Sequence, residues 1–77
     1  MDEAKLKAVV GAVLELEPAA VGEGTSADTV EGWDSLKQMN LVIALEEAFG
    51  VTIPDEDVVA LTSYPLIRAV VREQLAA

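Results

Sequence analysis

The chain has 77 residues, with 14 acids against five bases, no histidine and no cysteine, for a formal net charge of −9. That length makes one domain, residues 1 to 77, with a thin core, and the absent cysteines exclude disulfides and thiolate-metal sites. So acidic a chain repels phosphates, which argues against nucleic acid and anionic membrane as partners. No apolar run reaches the roughly 18 residues of a membrane span and no signal peptide opens the chain, so the expectation is a cytoplasmic monomer with no membrane insertion. The 52% apolar content comes from aliphatics and supports folding without a staple. From Glu15 to Asp57 there are eleven acids and one base, Lys37, while Lys5, Lys7, Arg68 and Arg72 lie toward the ends. Such a layout reads either as plain solubility or as an acidic surface for basic partners.

The first helix is predicted over about residues 3 to 16, with Leu6, Val9, Val10 and Val13 on its buried face and Pro18 closing it. A long loop follows to residue 33, rich in the turn formers Gly22, Gly24, Thr25, Ser26, Asp28 and Gly32. Val21 and Val30 are its candidate anchors to the core. The clearest helix runs from 35 to 49, where Ser35 and Gln38 match an S-x-x-Q capping box and Gly50 is a natural stop. After the connector Val51-Thr52-Ile53, a short helix starts near Pro54 with Asp55 as N-cap and runs to about Leu61. Ser63 or Tyr64 caps the last helix, Pro65 sits in its first turn, and Tyr64, Ile67, Val71 and Leu75, flanked by Val70, form its buried stripe. The fold class is all-α: a small four-helix bundle of three longer helices and one short one, with a long loop between the first two.

The helix over 35 to 49 carries two apolar stripes. Leu41, Val42, Leu45 and Phe49 cluster on one side, and Leu36, Met39 and Ile43 on roughly the other, bordered by Asn40, Glu46 and Glu47. A surface helix of a small bundle needs one buried face. The second stripe therefore packs under the long loop or stands exposed for another protein, and methionine there suits several partners.

Ser35, taken by itself, reads as an N-cap adding roughly 1 kcal/mol. Its surroundings point further. Trp33-Asp34-Ser35-Leu36, then Leu41 to Val51 with its Leu-Glu-Glu-Ala-Phe-Gly ending, then Ile53-Pro54-Asp55-Glu56-Asp57, together resemble the acyl carrier protein family over most of the chain. The resemblance implies a non-catalytic carrier with 4′-phosphopantetheine attached covalently at Ser35 and Asp34 in a supporting role. A phosphopantetheinyl transferase moves the arm from coenzyme A with Mg²⁺, and the arm's thiol holds acyl or aminoacyl groups as thioesters. That chemistry is coherent with a chain that has no thiol of its own. A phosphodiester at Ser35 would also sit at a helix N-terminus, which favours anions.

The same resemblance makes Leu36, Met39, Ile43, Glu46, Glu47, Asp55, Glu56 and Asp57 partner-contact positions. The implied partners are a loading ligase or synthase and acyltransferases or other pathway enzymes with basic docking patches, for which rim charges speed and orient encounter. Lys37, Gln38 and Asn40 stand where fatty-acid carriers usually begin this helix with acids. Trp33 stands where those carriers commonly have a small residue. Both point to a specialised carrier of polyketide, aminoacyl or cell-surface acylation pathways. Lys37 either screens out housekeeping enzymes or is a solvated surface charge, and Trp33 is expected to plug the bundle end. Asp55-Glu56-Asp57 lacks the loop glycine and distal glutamate of an EF-hand, so no metal site is expected. The alternative to a carrier is an acidic helical adaptor that binds a basic partner without an arm. With no histidine or cysteine, and no serine paired with an obvious base, an enzyme is not expected.

Overall fold

Helix α1 (Glu3–Leu14) starts where the Asp2 carboxylate accepts a hydrogen bond from the Lys5 N–H at 3.1 Å. It ends two residues earlier than predicted, and not because of Pro18. Glu15 turns left-handed, at φ 60°, and the Leu16 N–H closes onto the Gly11 carbonyl at 2.8 Å, a Schellman-type stop. This reversal requires Gly11: a Cβ there would lie 2.5 Å from the Leu16 carbonyl oxygen. The buried line is accordingly Leu6, Val10, Gly11 and Leu14, with Val9 and Val13 packed at its margin rather than at its centre.

The loop to α2 holds a 3-10 turn (Pro18–Ala20) and is stitched down by backbone rather than left free. Thr25 is buried; its hydroxyl accepts from the Gly22 N–H and donates to the Ala20 carbonyl. The Ala27 N–H donates to the Thr62 carbonyl and the Tyr64 N–H to the Thr25 carbonyl, at 2.9 and 2.8 Å, around an isolated bridge between Ser26 and Ser63. Val21 is buried and Val30 partly so, the anchors expected of them.

Helix α2 (Ser35–Phe49) has the predicted limits and ends on Gly50 at φ 64°, with the Val51 N–H returning to the Glu46 carbonyl. Helix α3 (Asp55–Val58) is a single turn. Its cap residue is Pro54, which makes no side-chain cap bond, so Asp55 begins the helix instead of capping it, and the chain turns at Val59 rather than continuing to Leu61. Helix α4 (Tyr64–Ala76) is entered through Ser63, whose hydroxyl accepts from the Leu66 N–H at 3.3 Å. It buries Tyr64, Ile67, Val70 and Val71, whereas Leu75, expected on the buried stripe, is exposed in the last turn of the helix.

The computed structural model describes residues 1–76; Ala77, the final residue of the expected domain, lies outside them. Among the described residues there are four helices and no strand. Helix α1 lies along α2, and α4 closes the other side of the core. Leu6, Leu41, Leu45, Leu61, Tyr64 and Ile67 are fully buried at its centre; each such side chain stabilises the fold by about 1.5–3 kcal/mol. Arg68 ties the elements at the surface, reaching Glu23 of the long loop at 2.8 Å and Glu3 of α1 at 3.5 Å. No described helix is long and apolar enough to cross a membrane.

Candidate functional site

At the start of α2 the structure exchanges the roles the sequence suggested for two neighbours. Asp34, with extended backbone, is the N-cap: its Oδ1 accepts from the Lys37 N–H at 2.9 Å and its carbonyl from the Gln38 N–H at 2.9 Å. Ser35 is the first helical residue, exposed, and its hydroxyl takes part in no hydrogen bond among the described residues. Aspartate caps as well as serine does, and only one residue can occupy the half-turn before the helix. The result is a free hydroxyl beside the unpaired N–H groups of a first helical turn.

Gln38 does not complete a capping box either. Its Oε1 accepts from the Trp33 indole N–H at 2.8 Å, and its Nε2 donates to the carbonyls of Val58 at 2.7 Å and Leu61 at 2.9 Å. One amide thus binds the loop before α2 to the end of α3. The sequence held a signal for this: on a helical wheel Gln38 falls among Leu41, Leu45 and Phe49, and a polar side chain on a buried face must find partners. Trp33 packs against the core as expected of a plug, and its indole is held in place by Gln38. Trp33, Asp34, Ser35, Gln38 and Met39 together line an open hollow of about 430 Å³.

The second stripe of α2 is exposed. Leu36, Met39 and Ile43 are 68%, 54% and 51% accessible, and Val59, just past α3, is 77% accessible. The long loop does not cover them, which decides between the two readings of that stripe. Around it Glu47, Asp55 and Glu56 are exposed and Asp57 is half-buried. Glu46 differs from its expected role as a rim charge: it is half-buried, and its Oε2 accepts from the Ile53 N–H at 2.8 Å, holding the α2–α3 connector. Lys37 reaches back to Glu15 at 3.2 Å, a surface pair worth little in stability. It is tied to the left-handed residue at the end of α1 rather than standing free.

Elsewhere three groups depart from ordinary titration. The Arg68 guanidinium, hydrogen-bonded to Glu23, holds that carboxylate below its usual range and is itself raised by the pairing. Burial, reinforced by the charge of Glu3, pushes the Tyr64 phenol up; its hydroxyl is enclosed without a hydrogen-bond partner among the described residues. Arg68 and Tyr64 belong to α4, and Arg68 pairs with Glu3 of α1 and Glu23 of the long loop.

Comparison with known proteins agrees with this geometry. Residues 4–75 match the family model described as the phosphopantetheine attachment site. The fold is similar to the solution structure of the holo acyl carrier protein from Geobacter metallireducens, with a TM-score of 0.82 at 25% identity, covering 99% of this chain and 88% of that one. The chain therefore belongs to the phosphopantetheine attachment-site family: it is a carrier protein, not an enzyme, and bears acyl groups on a covalent phosphopantetheine arm.

Proposed function

We propose that Ser35 is the residue that carries the arm. The observation that supports this is its hydroxyl, exposed and unbonded at the first position of α2 because Asp34 has taken the cap. The residues present suit the group. The hydroxyl is accessible to a transferase, the first-turn N–H groups and the helix dipole favour the phosphodiester's charge, and the hollow leaves room beside it. The arm, once bound, supplies the thiol that this chain lacks. Its formation joins Ser35 Oγ to the phosphorus of the coenzyme A arm as the bond to the nucleotide breaks, and the hydroxyl proton passes to a base of the transferase. Asp34 keeps the helix start ordered throughout.

Loaded arms are delivered through the exposed face. Leu36, Met39 and Ile43 offer the apolar contact, and Glu47, Asp55, Glu56 and Asp57 offer negative charge to basic patches on loading ligases, synthases and acyltransferases. Glu46 supports this face from behind through the connector. Exposed charges of this sort accelerate docking and are screened by salt, which suits a shuttle that must bind briefly. Lys37 and Trp33 favour a specialised pathway, such as polyketide, aminoacyl or cell-surface acylation, in the cytoplasm where coenzyme A is available.

The test is intact mass after incubating the apo-protein with a broad-specificity phosphopantetheinyl transferase, coenzyme A and Mg²⁺. A gain of one arm, absent in Ser35→Ala, is expected. No gain with several transferases would favour an armless acidic adaptor instead.

A further inference from the structure

We propose that the hollow beside Ser35 is a seat for the first segment of the arm, its pantoyl unit, so that the carrier holds the base of the arm against Trp33 and Met39 instead of leaving it wholly in solvent. The proposal rests on Ser35 as the attachment point. In 4′-phosphopantetheine the phosphate is followed by one methylene, then a carbon bearing two methyl groups, then a carbon bearing a hydroxyl. A branched apolar unit therefore comes directly after the phosphodiester.

The lining of the hollow matches that order. Ser35 is itself one of its walls, so an arm on this hydroxyl starts inside it. The polar atoms of the Trp33 and Gln38 walls are already spent: the indole N–H on Gln38 Oε1, and Gln38 Nε2 on two backbone carbonyls. What these walls offer an incoming group is the carbon surface of an immobilised indole, and the adaptable thioether side chain of Met39 lines the same hollow. Asp34 completes the lining. Its Oδ1 is engaged by the Lys37 N–H, and its other oxygen accepts no hydrogen bond among the described residues, leaving an acceptor for the pantoyl hydroxyl. The hollow is open to solvent, so the seat restrains the base of the arm without trapping the thiol.

Because Trp33 is the only tryptophan, the test can be read without any partner enzyme. The arm is transferred from coenzyme A to the apo-protein, mass confirms one arm per chain, and proton NMR follows the two pantoyl methyl signals. Seated near the indole, they move upfield from their positions in free coenzyme A, separate further from each other, and show cross-relaxation to the Trp33 ring. The shift disappears in Trp33→Leu and shrinks in Met39→Ala, whose side chain is too exposed to be needed for folding. A chain that gains the arm by mass but keeps both methyls at their free positions, without cross-relaxation to Trp33, overturns the seat and leaves Ser35 standing. A chain that gains no arm overturns the attachment point, and the seat with it.

Discussion

Asp34 and Ser35 exchange roles between the sequence and the fold, and two alanine substitutions measure the exchange. The Asp34 carboxylate holds the Lys37 N–H at 2.9 Å, and no other side chain caps α2. Asp34→Ala should therefore cost about 1 kcal/mol, the usual loss for a capping aspartate. In a domain of this size that lowers the melting temperature by roughly 4–8 °C. The Ser35 hydroxyl holds nothing, and alanine is the better helix former, so Ser35→Ala should shift stability by less than about 0.5 kcal/mol. The assay is thermal unfolding of both apo-proteins by circular dichroism, beside wild type in the same buffer. Asp34→Asn belongs in the series, since it keeps the cap and removes the charge. Its stability should stay close to wild type, and any loss of arm transfer in it isolates the carboxylate's part in that reaction. A Ser35→Ala protein destabilised as much as Asp34→Ala would show that the serine does the capping, and the account of a free, presented hydroxyl would fail.

Three further outcomes follow from other contacts. Gln38→Leu keeps the volume but removes bonds of 2.8, 2.7 and 2.9 Å. At about 0.5–1.5 kcal/mol net for each, it should destabilise by roughly 2 kcal/mol and speed amide exchange across residues 54–61; unchanged exchange there would deny the tether. Glu46→Ala strands the Ile53 N–H and should cost about 1–2 kcal/mol, while Glu47→Ala should leave chemical denaturation nearly unchanged and slow transfer to a basic partner at low salt. Tyr64→Phe removes a buried hydroxyl without a partner and should hold or raise stability by up to about 1 kcal/mol. Because the folded Tyr64 pKa is raised above the ordinary 10.0, its contribution is fully present below that pH and is lost as pH rises through the folded value. Unfolding free energies measured across that alkaline window should fall more steeply in wild type than in Tyr64→Phe, and a marked loss of stability in the variant at neutral pH would mean that the hydroxyl has a partner after all.

Much of this protein was legible in one dimension because the relevant physics is local. The 3.6-residue period marked α2 to its exact limits, and Gly50 marked its end, since both depend only on residues within a turn or two. The Asp-Ser-Leu run and its flanks pointed to the family and to Ser35 as the candidate attachment point. What sequence misassigned were choices between adjacent or distant residues competing for the same job. Asp34 and Ser35 are both good caps, and only the backbone angles reveal which sits before the helix. The end of α1 was settled by the close approach of Leu16 to Gly11, and the exposure of Leu75 depends on which segments reach the last turn of α4.

Composition, period and motif pointed to an acidic four-helix carrier with Ser35 at the mouth of its clearest helix. Tertiary structure alone decided that this serine is free of capping duty and that Gln38 binds Trp33 to α3 across 20 and more residues of chain. It alone left Leu36, Met39 and Ile43 uncovered while turning Glu46 inward. The reason is physical. Hydrophobic period and cap preference are properties of a short segment, whereas the partner of a polar side chain and the exposure of an apolar one depend on which other segments arrive beside it.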